Sequence, residues 1–253
     1  MKEHLNWKLF RKRENDKKIK FIIQNSGIDL QIVLQANALS NTNDYHNFGH
    51  QLGVSEAAIK LWTVQWLSGS EINALWFGWL THDWWHTGKA LIDDEMKSVE
   101  LTNRFFSDEI FTKLWFSRIT HRDLTLSTAF SQRGKWAREL AKILQDADLG
   151  NIWQWPYYRL YSSMWLADEF GWDPHKFISE EQEKFIKYLE TIEPSVFLSA
   201  WSKKVYVPAR ESLNTILNWP KEVISYAYNV RHNDISFCEF KKQIDWIIKK
   251  SRS

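Results

Sequence analysis

The stretch Glu71-Ile72-Asn73-Ala74-Leu75-Trp76-Phe77-Gly78-Trp79-Leu80-Thr81-His82-Asp83-Trp84-Trp85-His86 decides how this chain is read. Between Ala74 and Leu80 no position is charged, so the segment has no polar face. A helix that is apolar all round belongs in a core. It then runs into Thr81-His82-Asp83. Burying an unpaired carboxylate at the end of such a helix is costly. A metal ion removes that cost, and imidazole nitrogen with carboxylate oxygen suits a borderline or hard divalent cation. Ser68-Gly69-Ser70 reads as a stop and a fresh N-cap, so the expected helix spans Glu71 to Trp84.

Helical periodicity extends outward on both sides. Only 9 Gly and 5 Pro are present, too few for the turn density of an all-β chain. Helices are expected from Lys17 or Ile28 to Ala38, with a break near Gly27, and from His46 to Leu67. Further helices are expected from Asp93 or Asp94 to Phe105 and from Ser107 to His121. A loop follows from Arg122 to Arg133, and then a helix from Lys135 to Leu149. Beyond Pro156 the pattern gives Tyr157–Phe170, a break at Gly171-Trp172-Asp173-Pro174, and then Ser179–Ile192, Ser195–Leu217 and Ser236–Lys250. The predicted fold class is all-α: one domain over residues 1–253, with a core at about 28–155 and additional C-terminal helices at about 156–253.

Composition narrows the function classes. Lys plus Arg is 33 and Asp plus Glu is 31, so nothing demands nucleic acid as a partner. The run Lys8 to Lys20, with Arg11, Lys12, Arg13, Lys17 and Lys18, reads as a solvated arm. Cys238 is the single cysteine, which excludes an internal disulfide and fits a reducing, cytoplasmic setting. The N-terminus carries no apolar h-region, and Ala74–Leu80 is far short of a membrane span, so no membrane partner is expected. Oligomerisation is left open. Most of the 16 Trp are expected in the core, and Arg118, Arg122, Lys89 and Arg133 at solvated positions.

Two other segments match the first in chemistry. Tyr45-His46-Asn47-Phe48-Gly49-His50 places two histidines four apart, on one face of a helix. Asp146-Ala147-Asp148-Leu149 ends another helix. Polar residues at several helix ends can converge on one pocket, as in helix-bundle metal sites. By its position Asp146 reads as a helix-end surface charge.

The order His, His-Asp, Asp resembles the HD-domain metal-dependent phosphohydrolases. Tyr45-His46-Asn47 followed by His50 is similar to a segment of cyclic nucleotide phosphodiesterases and of small bacterial HD phosphohydrolases. Asp146-Ala147-Asp148-Leu149 is similar to their Ala-Asp-Leu segment. The similarity covers about Asp44 to Leu149. Leu91 stands where the phosphodiesterases carry asparagine. The resemblance implies an HD/PDEase-like helical bundle in which His50, His82, Asp83 and Asp148 hold a metal and His46 is the general acid. Asp83 would bridge to a second ion, and His86 would face the phosphate or that ion's water shell. Glu95, Glu100 and His121 would be second-metal or surrounding residues, Glu95 from a Glu-x-x-Ser segment that includes Ser98. Tyr45, Asn47, Trp84, Trp85 and Lys89 are weaker substrate-binding candidates.

The chemistry has its own logic. A divalent cation lowers the pKa of bound water and neutralises charge on phosphoester oxygens. A histidine that titrates near neutrality can protonate the leaving oxygen. The expected cofactor is one or two divalent ions (Mn, Mg, Fe, Co, Ni or Zn), and the expected substrate is a small nucleotide or cyclic nucleotide. The alternatives are a di-iron oxygenase of the same fold, with His86 and His121 as extra ligands, and a non-catalytic, metal-stabilised binding protein.

Overall fold

The structure is a computed structural model and describes residues 16–40, 43, 45–46, 50–52, 54, 67–87, 92–136, 138–149, 155–192, 209–233 and 235–252. All regular structure among these residues is helical. The described residues fall into two compact units, one over 16–149 and the other over 155–252. Most of the basic N-terminal run lies outside the described residues, as does most of the helix expected from His46 to Leu67; within that span residues 50–52 and 54 are helical, while His46 and Leu67 are not.

In the first unit, residues 16–25 are helical, and α1 (Leu30–Leu39) follows a break capped by Asp29, whose side chain accepts from the Ile32 amide. Helix α2 (Gly69–Thr81) begins at a capping box: the Ser68 side chain accepts from the Glu71 amide while the Glu71 carboxylate takes the Ser68 amide. This satisfies two of the amides that a helix start leaves bare. Every residue from Ala74 to Thr81 is buried. The helix ends at Thr81 rather than at the expected Trp84. The Thr81 hydroxyl lies 2.8 Å from the Phe77 carbonyl, and His82 to Trp85 form a turn.

Helix α3 (Ile92–Phe105) places three acidic residues in its first turn, where the helix dipole favours them. The helix expected from Ser107 to His121 is instead two. Helix α4 (Asp108–Lys113) stops at Leu114, with Trp115 at φ 63°. The Phe116 amide reaches back to the Phe111 carbonyl at 3.2 Å, and the Trp115 amide to Thr112 at 3.1 Å. This is the Schellman pattern, with tryptophan in the left-handed position where glycine is usual. Helix α5 (Arg118–Thr128) then occupies much of the span read as a loop. It packs against α2, α3 and α6 (Glu139–Asp148), with α2 also touching α6.

The second unit contains α7 (Pro156–Glu169), α8 (Gln182–Ile192), α9 (Ala209–Leu217), α10 (Lys221–Val230) and α11 (Phe237–Ser251). A π-helical turn, Phe177–Glu181, leads into α8. Gly171, at φ 65°, makes the turn that follows α7. Helix α10 lies in a span where no helix was expected; Pro220 sits at its N-cap. The interior of this unit holds Arg159, whose guanidinium donates to Gln182 Oε1 and to the Ala209 carbonyl. His175 and His232 are bonded to Ser225 and Asp168.

Candidate metal centre

Two helix C-termini and one histidine-bearing helical segment meet in the first unit. His82 follows the last residue of α2 as its C-cap, Asp83 is next in the turn, and Asp148 is the final residue of α6. The partial negative charge at helix C-termini favours a cation there. His50 Nε2, His82 Nε2, one oxygen of Asp83 and one of Asp148 all lie within 4.8 Å of one another.

The contacts among them are short. His82 Nε2 is 3.0 Å from Asp83 Oδ2 and 3.1 Å from Asp148 Oδ1, and His50 Nε2 is 3.3 Å from each of the same oxygens. Asp83 Oδ2 is nevertheless buried without an aligned hydrogen bond among the described residues. Proximity without alignment is what atoms directed at a shared centre produce. Two imidazole nitrogens and two carboxylate oxygens fit a borderline divalent cation.

His82 Nδ1 lies 2.9 Å from the Trp79 carbonyl. A carbonyl only accepts, so Nδ1 carries a proton and Nε2 is the ring nitrogen turned towards the cluster. Burial by itself would lower the pKa of both histidines, but the carboxylates of Asp83 and Asp148 outweigh it: His50 is raised and His82 raised well above the ordinary value. Burial would raise the carboxyls, yet His82 and His50 hold Asp83 well below the usual range and Asp148 at about 2. The point where the four meet therefore favours positive charge.

A line of imidazoles leads away from this point. His50 and His82 have ring centroids 5.9 Å apart, His46 and His50 5.5 Å, and His46 stacks on His86 at 3.6 Å with an 18° interplanar angle. Tyr45 sits against both His46 and His50, at 4.9 and 4.8 Å. His46 and His86 are half-buried.

Helix α3 fixes the turn that carries His82 to Thr87. Asp94 Oδ2 accepts from the Thr87 amide at 3.0 Å and from its hydroxyl at 2.9 Å. Ser98 Oγ accepts from the Trp85 amide at 2.9 Å. Between them Glu95 is only 8% exposed, and its Oε2 is buried with no hydrogen-bond partner among the described residues. Burial, reinforced by the charges of Asp83 and Asp148, pushes its carboxyl up to about 8. Asp94 was read from the sequence only as a helix start; its role in clamping the turn depends on contacts that periodicity does not report.

The remaining candidates separate. Glu100 is exposed and pairs with Lys97 at 2.6 Å, on the outer side of α3. His121 is fully buried away from the four-residue cluster. Its Nε2 is 2.8 Å from Thr81 Oγ1, and its ring packs edge-on to Phe77 and Phe111. Burial and, secondarily, the Arg118 charge lower its pKa to about 3. Trp84 is buried and stacks on Phe106, so it is core rather than a substrate platform, whereas Trp85 is 47% exposed. Asn47 and Lys89 lie outside the described residues.

Three charged residues differ from their sequence reading. Asp146 is not a surface charge: it is completely buried and paired with Arg133, itself buried. Arg118 is held by Asp108, Asn103 and the Phe106 carbonyl. Arg122 remains on the surface beside Asp123.

No family model matches this chain, and no curated protein matches it.

Proposed function

We propose that the protein is a metal-dependent phosphohydrolase of the HD type, acting on a phosphoester or phosphodiester bond of a nucleotide-like small molecule. The observation that carries this reading is the convergence of His50, His82, Asp83 and Asp148 within 4.8 Å at two helix ends. These four would hold a divalent cation. When bound, such an ion supplies charge neutralisation at phosphate oxygens and acidifies a coordinated water.

The chain's own residues divide the remaining work. His46, half-buried in the imidazole line, donates a proton to the leaving oxygen. His86 stacks against it and restricts the ring to one orientation. Glu95 Oε2, buried and without a hydrogen-bond partner among the described residues, orients the attacking water, and with its carboxyl raised to about 8 it takes that water's proton only in its ionised form. The clamps from Asp94 and Ser98 keep the turn rigid, so these groups are held in place before substrate arrives. Trp85 offers an exposed aromatic face on that fixed backbone and stacks on the planar part of the substrate. The oxygenase alternative draws no support from His121, which is engaged with Thr81 away from the cluster.

The test is a panel of linear and cyclic nucleotides with added Mn2+, scored for phosphate release and ring opening. Turnover by the wild-type protein that is lost in Asp83→Ala is expected. Equal turnover by Asp83→Ala, or none by the wild type across the panel, contradicts the reading.

A further inference from the structure

Asp146 and Arg133 form an ion pair in the interior of the first unit. Arg133 Nη2 donates to Asp146 Oδ1 at 2.9 Å, with side chains 4% and 0% exposed. Its other arm, Nη1, donates to the Gln145 carbonyl at 3.1 Å. The Gln145 side chain, also buried, donates through Nε2 to the Ser127 and Gln132 carbonyls. The last turn of α6 is thus tied at two consecutive residues to the segment 127–133. Two residues beyond Asp146, the helix ends on Asp148.

Stability alone does not account for this arrangement. Desolvating two charges consumes most of what their attraction returns, and well-packed apolar side chains of similar volume often stabilise as well or better. A guanidinium fork with two directed bonds does fix geometry. Helix ends otherwise fray, and a ligand on a helix's final residue inherits that motion. Groups behind the ligands of a metal site commonly set its affinity.

We infer that Arg133 and Asp146 are positioning residues for Asp148: the pair holds the last turn of α6 in the register at which the Asp148 carboxylate meets His50 and His82. The inference rests on the metal-binding reading above. It gives Asp146 a role distinct from that of its neighbour Asp148, that of aiming a ligand rather than being one.

The experiment measures Mn2+ affinity by calorimetry and thermal stability in parallel on the full chain. Arg133→Lys keeps the charge but loses the fork, and is expected to stay folded while binding Mn2+ about 10- to 100-fold more weakly. The double variant Arg133→Met with Asp146→Leu replaces the pair by apolar volume. It is expected to keep a wild-type melting temperature while its Mn2+ affinity stays reduced by a similar factor. Wild-type Mn2+ affinity in either variant overturns the inference and leaves the metal site standing. Failure of the wild-type protein itself to bind Mn2+ overturns the metal reading and this inference together.

Discussion

His82 Nδ1 donates to the Trp79 carbonyl at 2.9 Å, so the ring is locked with Nε2 facing Asp148 at 3.1 Å. Because Trp79 lies on the same buried helix, the core itself sets the orientation of a candidate metal ligand. His50→Ala, His82→Ala and Asp83→Ala should each lose Mn2+ binding and turnover together. His46→Ala should keep Mn2+ and lose turnover alone. Calorimetry beside a nucleotide-hydrolysis assay separates the two outcomes, and loss of Mn2+ in His46→Ala would remove its assignment as the acid.

The adjacent tryptophans should behave oppositely. Trp84 is 2% exposed against Phe106, so Trp84→Ala is expected to cost about 3–5 kcal/mol in urea unfolding. Trp85→Ala should stay within about 0.5 kcal/mol of wild type, as exposed positions do. Its effect should fall on KM, with Trp85→Phe restoring most of the loss. An unchanged KM for the hydrolysed nucleotide would take Trp85 out of the substrate site.

Buried His121 makes stability acid-sensitive. Its folded pKa of about 3 lies below the ordinary 6.5, so below pH 6.5 the unfolded chain binds a proton that the folded chain refuses. That contribution is intact above pH 6.5 and falls by about 1.4 kcal/mol per pH unit towards pH 3. Urea midpoints of wild type and His121→Gln, measured from pH 7.5 to 4.5, should draw together as pH falls. Parallel curves would show that His121 takes up its proton without unfolding.

Asp94 bonds both the amide and the hydroxyl of Thr87 from a 3% exposed position. Asp94→Ala should destabilise by about 1.5–3 kcal/mol and release the turn after Asp83. Hydrogen exchange at the Thr87 amide should rise sharply while Mn2+ binding at His82 and Asp148 persists. Retained protection at Thr87 would assign the rigidity of the turn to other contacts.

The sequence carried the fold class and the residues that meet at the cluster, because both are local signals: an apolar run without a polar face, and imidazole and carboxylate groups at helix ends. What it concealed was decided by contacts. Asp146 looks like a surface charge because its partner, Arg133, lies thirteen residues back across a loop. Arg122–Thr128 reads as a loop because it carries Thr125, Ser127 and Thr128, whose hydroxyls compete for backbone groups in isolation. In the fold, Ser127 and Thr128 instead bond carbonyls of their own helix. The break before it falls on Trp115, where no glycine announces a left-handed turn. Helix Lys221–Val230 is masked by Pro220 and by the β-branched and aromatic residues that fill it.

The most direct test is a calorimetric titration of Mn2+ into chelator-stripped protein, wild type beside Asp148→Ala. A saturable site in the wild type that disappears in Asp148→Ala is the predicted result. Equal binding by the two proteins, or none by the wild type, would contradict a metal centre built from His50, His82, Asp83 and Asp148.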